Sequence, residues 1–273
     1  MAENILICGC GWLGKYLAAS LAGKYSVTGT TRSQDKCNEI RTLGASPVLF
    51  DLYDDATSLA PHAEQSTVIL NIPPGRRNQD LSDYTARMIN LIQTLSKTTM
   101  SHLIFVSTTS VYGEQTRVVK ETSSLQPETA SARAHEEIEH TIARELPSRF
   151  SIVRLAGLTG PDRHPARSLA GRALTQGNKV VNLVHVHDVV TALSKLIQNG
   201  PVSRPLHLCS SAHPTRGVYY TWSAKQLHLT PPKFDTAFDE DTAETGKKID
   251  AEESWKQLGL TPDYASPYDM LKR

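Results

Sequence analysis

The 273-residue sequence lacks what several function classes need. It has no surplus of charge: 29 Lys and Arg stand against 28 Asp and Glu, a formal net charge of +1. No basic stripe stands out, and Asp239-Glu240-Asp241 is too brief to be an acidic tail, so no nucleic-acid partner is expected. No apolar run is long enough to span a bilayer, and the stretch before the first glycine is too short for a signal-peptide core. A cytoplasmic protein without a membrane partner is expected. The cysteines Cys8, Cys10, Cys37 and Cys209 have no metal or disulfide spacing. Cys8-Gly9-Cys10 reads as small residues in a crowded strand end, or else as a redox-sensitive thiol pair. His185-x-His187 has no third ligand at a persuasive spacing, so no metal is expected. His185 and Asp188 read as structural, through strand pairing or helix capping. No internal repeat or low-complexity run occurs.

What is present starts at the first strand. Ile5-Leu6-Ile7-Cys8 runs into Gly9-Cys10-Gly11-Trp12-Leu13-Gly14. A helix follows, with Leu13, Leu17, Ala18 and Leu21 on one face and Gly23 at a left-handed cap. This is the order of a dinucleotide-binding fold. Gly9 allows the tight turn, Gly11 lets the backbone approach a pyrophosphate, and Gly14 lets helix and strand pack closely. The helix N-terminus offers free N–H groups to the phosphates.

The second strand ends at Thr31-Arg32-Ser33, where an acidic residue would hold a ribose 2′-hydroxyl. A guanidinium and a hydroxyl suit a 2′-phosphate instead, which favours NADP over NAD; the other reading of Arg32 is a solvated charge. Asp51-Leu52 follows a third strand at 47–50, and Asp51 either accepts from an adenine amino group or caps the next turn. A fourth strand at 67–70 ends in Asn71-Ile72-Pro73-Pro74-Gly75, at the edge where ligands sit in doubly wound sheets. Arg76 and Arg77, next in the chain, read as phosphate contacts or as solvated charges.

Leu81, Tyr84, Met88, Leu91 and Leu95 predict a helix. A fifth strand at 103–106 runs into Ser107-Thr108-Thr109-Ser110-Val111-Tyr112-Gly113, hydroxyls that either cap turns or meet a substrate. A helix over 131–146 carries Ile138, Ile142 and Leu146 as its buried seam, and Ser131 and His135 share a face. Strands are expected at 150–155, 179–184 and 206–209, and further helices over 215–229 and 249–258.

The expected fold is α/β, a Rossmann-type doubly wound, mostly parallel sheet with a small C-terminal mixed or helical substrate lobe. Residues 1–160 and 178–209 are assigned to the dinucleotide domain, and 161–177 and 210–273 to the lobe. In the lobe Arg163, His164 and Arg167 are cations that can pair with a substrate phosphate. The chain is expected to be a monomer or a homodimer, with the helices at 81–95 and 131–146 as the candidate dimer surface.

Together these motifs resemble the extended and atypical short-chain dehydrogenase/reductase superfamily, which includes nucleotide-sugar epimerases and dehydratases. The match runs in order along essentially the whole chain. Residues 9–14 are similar to the family's cofactor turn, Asp51-Leu52 to its adenine contact, and 107–113 to its Ser-rich strand ending in Val-Tyr-Gly. Residues 154–161 and 184–189 resemble two later blocks. A narrower resemblance, to proteins described as predicted epimerases, rests on Gly11-Trp12-Leu13-Gly14, Arg163-His164-Pro165, residues 181–185 and Ala212-His213-Pro214. The resemblance implies further cofactor contacts at Asn71, Ile72, Pro73, Ser107, Leu155 and Leu158.

By position, Thr108 corresponds to the family's catalytic Ser/Thr. The family's Tyr-x-x-x-Lys pair, counted from Pro127, falls on Ser131 and His135, so both residues are absent, while Glu139 matches a frequent family glutamate. In the family the tyrosine moves a proton while hydride passes to the nicotinamide. Serine is too weak an acid for that role, whereas histidine, with a reference pKa of about 6.5, is competent. The expected proton carrier is His135, with Thr108 orienting the substrate oxygen, Ser131 relaying the proton and Tyr112 as an alternative acid. The other reading of His135 is a surface-facing helix residue. Two functions follow. One is an NADP-dependent oxidoreductase, epimerase or dehydratase acting on a sugar or nucleotide-linked sugar. The other is a non-catalytic NADP-binding sensor or regulatory protein.

Overall fold

Short β-branched runs alternate with amphipathic helices along the first half of the chain, and that alternation builds a parallel sheet. The computed structural model describes residues 3–75, 80–235 and 243–271. Arg76, Arg77 and the acidic triplet 239–241 lie outside the described residues. In chain order the elements are β1 (Asn4–Cys8), α1 (Trp12–Leu21), β2 (Ser26–Thr31), α2 (Gln34–Thr42), β3 (Ser46–Leu49), α3 (Ala60–Ala63), β4 (Ser66–Leu70), α4 (Ser82–Ser96) and β5 (His102–Thr108). Then come β6 (Val118–Val119), α5 (Ala130–Glu145), β7 (Phe150–Leu155), β8 (Gly157–Thr159), α6 (Pro165–Leu169), β9 (Ala173–Leu174), β10 (Leu183–His185) and α7 (Val186–Asn199). The chain ends through β11 (Pro205–Leu208), α8 (Arg216–Gln226), β12 (Lys233–Phe234), β13 (Lys248–Ile249) and α9 (Glu252–Leu258).

The chain divides into two units, residues 1–113, 125–154 and 190–206, and residues 114–124, 155–189 and 207–273. In the first, the seven-stranded sheet has the order β11-β7-β5-β4-β1-β2-β3. β1 pairs in parallel with β2 and β4, β2 with β3, and β4 with β5. The order reverses between β1 and β4, which is the switch point where open α/β sheets bind ligands. All five residues of β4 are buried, as expected of a strand covered on both faces. The predicted seams hold: Leu13, Leu17 and Leu21 of α1, Met88, Leu91 and Leu95 of α4, and Ile138 and Ile142 of α5 are buried. Thr129 accepts from the Ala132 N–H to start α5, and Pro147 stops it.

The second unit corrects two expected elements. No continuous strand covers 179–184. Val180 N–H donates to Thr245, Val181 N–H donates to Pro214, and the Asn182 carbonyl accepts from Gly157, so successive residues bond to different segments. Only Leu183–His185 forms a ladder, parallel to β8. The helix expected over 249–258 starts later. Asn182 accepts from the Ile249 N–H at 2.9 Å and donates to the Lys247 carbonyl at 2.8 Å. That clamp keeps Lys248–Ile249 extended against β6, and α9 begins at Glu252. The core of this unit gathers Val181, Leu183, Tyr219, Tyr220 and Met270. Among the described residues no helix is long and apolar enough to cross a membrane.

Candidate functional site

β1 ends at the switch point, and hydrogen bonds on both sides fix the turn that follows. The Gly9 N–H donates to Thr30 Oγ1 at 2.8 Å, and the Cys10 N–H to the Thr30 carbonyl at 2.9 Å. From β4, the Asn71 N–H donates to the Cys8 carbonyl at 2.8 Å and Asn71 Nδ2 to the Gly9 carbonyl at 3.0 Å. Gly9 sits at φ +91°, and a Cβ there would lie 2.5 Å from the Asn71 carbonyl oxygen. A Cβ on Gly14 would lie 2.8 Å from the Gly9 carbonyl oxygen. Gly11 differs: nothing lies within 4 Å of its would-be Cβ. It opens α1, whose first turn has no side-chain cap and no acidic residue. The start of α1, with its helix dipole, therefore borders open space beside a bare backbone, which fits a pyrophosphate.

That space is a cavity of about 690 Å³, whose wall includes Gly9, Cys10 and Gly11, the strand-end residues Thr31, Arg32 and Ser33, Asp51 and Leu52, and Asn71, Ile72 and Pro73. Thus the loops after β1, β2, β3 and β4 meet at one sheet edge. Leu13 and Gly14 are buried in the packing face of α1 behind the turn, and Trp12 meets Tyr16 in a tilted ring contact at 5.1 Å. The sequence reading missed Lys36, which stands on the wall one turn into α2. Its only sequence signal was a basic residue four positions after Arg32.

Arg32 is 78% exposed at its side chain, with Nε 3.8 Å from Asp51 Oδ2. Asp51 caps the next turn, accepting from the Tyr53 N–H at 3.1 Å. The redox reading of Cys8 and Cys10 fails. Both are buried, burial pushes their thiols up to about 12 and about 11, and a protonated thiol is a poor nucleophile.

The hydroxyl-rich end of β5 divides its work. Thr108 accepts from the Ser110 N–H at 3.1 Å and shares a 2.9 Å contact with the Ser110 hydroxyl, capping the turn Thr109–Tyr112. Ser107 donates to Glu139 Oε1 at 2.5 Å, so its hydroxyl is committed inward. His135 is 7% exposed, which removes the reading of a surface-facing helix histidine. Its Nδ1 lies 2.8 Å from the Ser131 carbonyl, and its ring stacks on Phe105 at 5.7 Å. A carbonyl only accepts, so Nδ1 carries the proton and the neutral ring keeps its lone pair on Nε2. Burial lowers the His135 pKa, opposed by the Ser131 bond and the Glu139 charge.

Sequence reasoning also missed a buried network joining α5, β5 and β7. Arg154 Nη2 donates to Glu139 Oε2 at 2.5 Å, its Nε reaches both Glu139 oxygens at 3.1 Å, and its Nη1 donates to the Tyr112 hydroxyl at 2.5 Å. Tyr112 is fully buried with its ring 5.0 Å from the guanidinium. This corrects Tyr112 as an alternative acid: a buried phenol whose oxygen already accepts from Arg154 is part of the scaffold. No local motif announces the network, because its members lie far apart in sequence.

In the second unit Arg163 and Arg167 are exposed, while His164 is buried. His164 Nδ1 accepts from the Ala166 N–H at 3.2 Å, and Nε2 lies 2.8 Å from the Tyr219 hydroxyl, which itself donates to the Pro267 carbonyl. That pattern fits the neutral Nε2–H tautomer. Burial and Arg167 push its pKa down to about 4. His164 is therefore a structural cap at neutral pH and does not supply the expected cation. Leu155 is buried, and Leu158 lies in β8 opposite Val184. Asp188 accepts from the N–H groups of Asp263 and Tyr264, and His185 packs on Tyr264 at 3.7 Å. Among the described residues no three His, Cys, Asp or Glu side chains group as metal ligands.

The profile of the NAD dependent epimerase/dehydratase family matches residues 5–209. Protein YeeZ of Escherichia coli (strain K12) is 34% identical over 273 residues, covering 98% of each chain. UDP-glucuronic acid 4-epimerase from Bacillus cereus, solved with NAD, is similar at a TM-score of 0.80 and 16% identity over 99% of this chain and 96% of that one. UDP-glucose 4-epimerase from Thermotoga maritima, solved with UDP-glucose, is similar at 0.80 and 19% over the same shares. At these identities the structural likeness is one of fold.

Proposed function

The chain belongs to the NAD-dependent epimerase/dehydratase family, and from that premise we propose that it is an NADP-using enzyme performing hydride chemistry on a sugar, bound as a nucleotide-linked sugar. The observation that carries the catalytic part is His135. It occupies the position of the family's lysine, buried, with Nδ1–H tied to the Ser131 carbonyl.

Gly9, Cys10 and Gly11 take the pyrophosphate at the start of α1, and Leu52, Asn71, Ile72 and Pro73 complete the wall. Arg32, Ser33 and Lys36 take the 2′-phosphate, where two cations favour the extra charge. The Bacillus cereus epimerase was solved with NAD, so the preference for NADP rests on these side chains alone.

A bound nicotinamide supplies the hydride acceptor. Because burial lowers the His135 pKa, its ring is neutral near pH 7 and serves as a base. Nε2 takes the substrate hydroxyl proton as the C–O bond becomes a carbonyl and the carbon-bound hydrogen leaves as hydride. The resulting imidazolium lies near the Glu139 carboxylate, whose charge favours it. Thr108 orients the reacting oxygen. Ser131 holds the ring through its carbonyl, and its hydroxyl is the candidate proton relay. Arg163 and Arg167 are the candidate cations for the substrate's phosphates.

A second reading, a non-catalytic NADP-binding regulator, is favoured by one observation: neither the tyrosine nor the lysine of the family pair is present. Nicotinamide fluorescence on titration with NADPH and NADH tests the shared part. NADPH binds more tightly, and Lys36→Glu reverses the preference; binding of neither coenzyme rules out both readings. NMR assay of UDP-sugar products then separates them, because hydride recycling leaves no net change in coenzyme. Turnover that survives both His135→Ala and Thr108→Ala refutes the proton path. Binding without turnover of any sugar leaves the regulator.

A further inference from the structure

We propose that Tyr53, braced by Arg87, is the stacking platform for the adenine ring of the dinucleotide, an inference that rests on the coenzyme reading above. Tyr53 is a large aromatic residue left 53% exposed, and it stands on the wall of the cavity. Two contacts set its place, one on the backbone that carries it and one on the ring. Its backbone N–H donates to Asp51 Oδ1 at 3.1 Å, which fixes the turn that carries it. The Arg87 guanidinium lies over the ring at 4.3 Å from its centroid. Arg87 is itself held one helical turn from Asp83, Nε to Oδ1 at 3.0 Å. A charge pair on α4 therefore supports a cation–π contact, and the contact orients an aromatic plane at the cavity edge.

The topology says which end of the dinucleotide meets that plane. The glycine turn after β1 marks the pyrophosphate. On one side, through β4, lies β5 with Thr108; on the other lie β2 and β3 with Arg32 and Asp51. Hydride chemistry needs the nicotinamide on the β5 side, so the adenosine falls on the β3 side, where Tyr53 follows Asp51. Leu52 and Ile72 stand on the same wall, giving an apolar slot beside the ring. A purine is the planar ligand such a slot recognises, and stacking on the Tyr53 face opposite Arg87 would cover the apolar surface that the ring now shows to water.

Calorimetric titration of the full chain with NADPH and with adenosine 2′,5′-bisphosphate tests this, because the second ligand has the purine and lacks the nicotinamide. Base–aromatic stacking corresponds to about a 5- to 150-fold change in affinity, so Tyr53→Ala weakens both ligands by a factor in that range. Tyr53→Phe stays within about twofold of the parent, since the ring and not the hydroxyl stacks. Tyr53→Leu remains as weak as Tyr53→Ala, and Arg87→Ala gives a smaller loss in the same direction. Unchanged binding in Tyr53→Ala, or parental binding in Tyr53→Leu, overturns the platform. Absence of binding to the parent chain overturns the coenzyme reading itself, which keeps the two failures distinct.

Discussion

Replacing Gly11 with alanine should weaken coenzyme binding about tenfold while leaving the fold nearly untouched, whereas replacing Gly9 should destabilise the fold itself. At Gly11 the new methyl group meets nothing within 4 Å, and φ is −78°, outside the left-handed region that favours glycine. The folding cost is then limited to a poorer helix N-cap, at most about 1 kcal/mol. The methyl does enter the cavity, in the space the proposed coenzyme's pyrophosphate would take. A tenfold loss of affinity, at a ligand concentration of about 100 times the parent Kd, cuts coenzyme stabilisation from about 2.7 to about 1.4 kcal/mol.

At Gly9 the methyl meets the Asn71 carbonyl oxygen at 2.5 Å, with φ at +91°. Backbone strain of about 1–3 kcal/mol adds to displacement of the Asn71 carbonyl and loss of the 3.0 Å bond to Gly9. A total near 3 kcal/mol lowers the melting temperature by about 6–12 °C in a chain of this size. Thermal unfolding followed by circular dichroism, with and without NADPH, measures both effects. A Gly11→Ala protein that keeps the parent's coenzyme-induced shift, or a Gly9→Ala protein that melts with the parent, refutes the account of the loop.

Three further outcomes are expected. The rate profile of any sugar turnover stays flat above the ordinary histidine value of 6.5 and falls only at lower pH, because burial lowers the His135 pKa; an acid limb at or above 6.5 excludes His135 as the base. Arg154→Met leaves the buried Glu139 carboxylate without its cation and costs about 3–5 kcal/mol in urea unfolding, against under 1 kcal/mol for an exposed pair. Burial pushes His102 down from 6.5 to about 4, so the folded state refuses a proton that the unfolded state accepts. Stability from this group is present above pH 6.5 and is lost as pH falls toward 4, amounting to about 2 kcal/mol at pH 5. His102→Gln should lose correspondingly less stability between pH 7.5 and 5, and an unchanged pH dependence would contradict the assignment.

Much of the glycine turn that opens the cavity was legible in the linear sequence, because its determinants are local. A strand, a tight turn and a helix N-terminus occupy consecutive residues, so Gly9, Gly11 and Gly14 carry their roles in their spacing. The helical seams were legible for the same reason, since a period of 3.6 residues is written along the chain. The misread segments of the second unit, 179–184 and 249–258, have apolar residues that fit either period. Their conformation is decided by the Asn182 side chain reaching across to residues 247 and 249, a contact between residues far apart in sequence.

The proposed proton-handling site shows the same division. Sequence alone put Ser131 and His135 on one helical face, and the family register placed them at the missing tyrosine and lysine. His135 lies three residues before Ile138 on the apolar seam, but whether its titratable ring would be buried neutral or turned to water was not written there. Tertiary packing buried the ring, which stacks on Phe105, and burial lowers its pKa, so of the two directions open to a proton carrier it favours the base. Packing likewise neutralised His164, by walling it against Tyr219, and retired Tyr112, by joining it to Arg154. Local geometry sets which backbone groups stand free for a phosphate, whereas the charge of a side chain depends on how much solvent its neighbours exclude, and those neighbours come together only when the chain has folded.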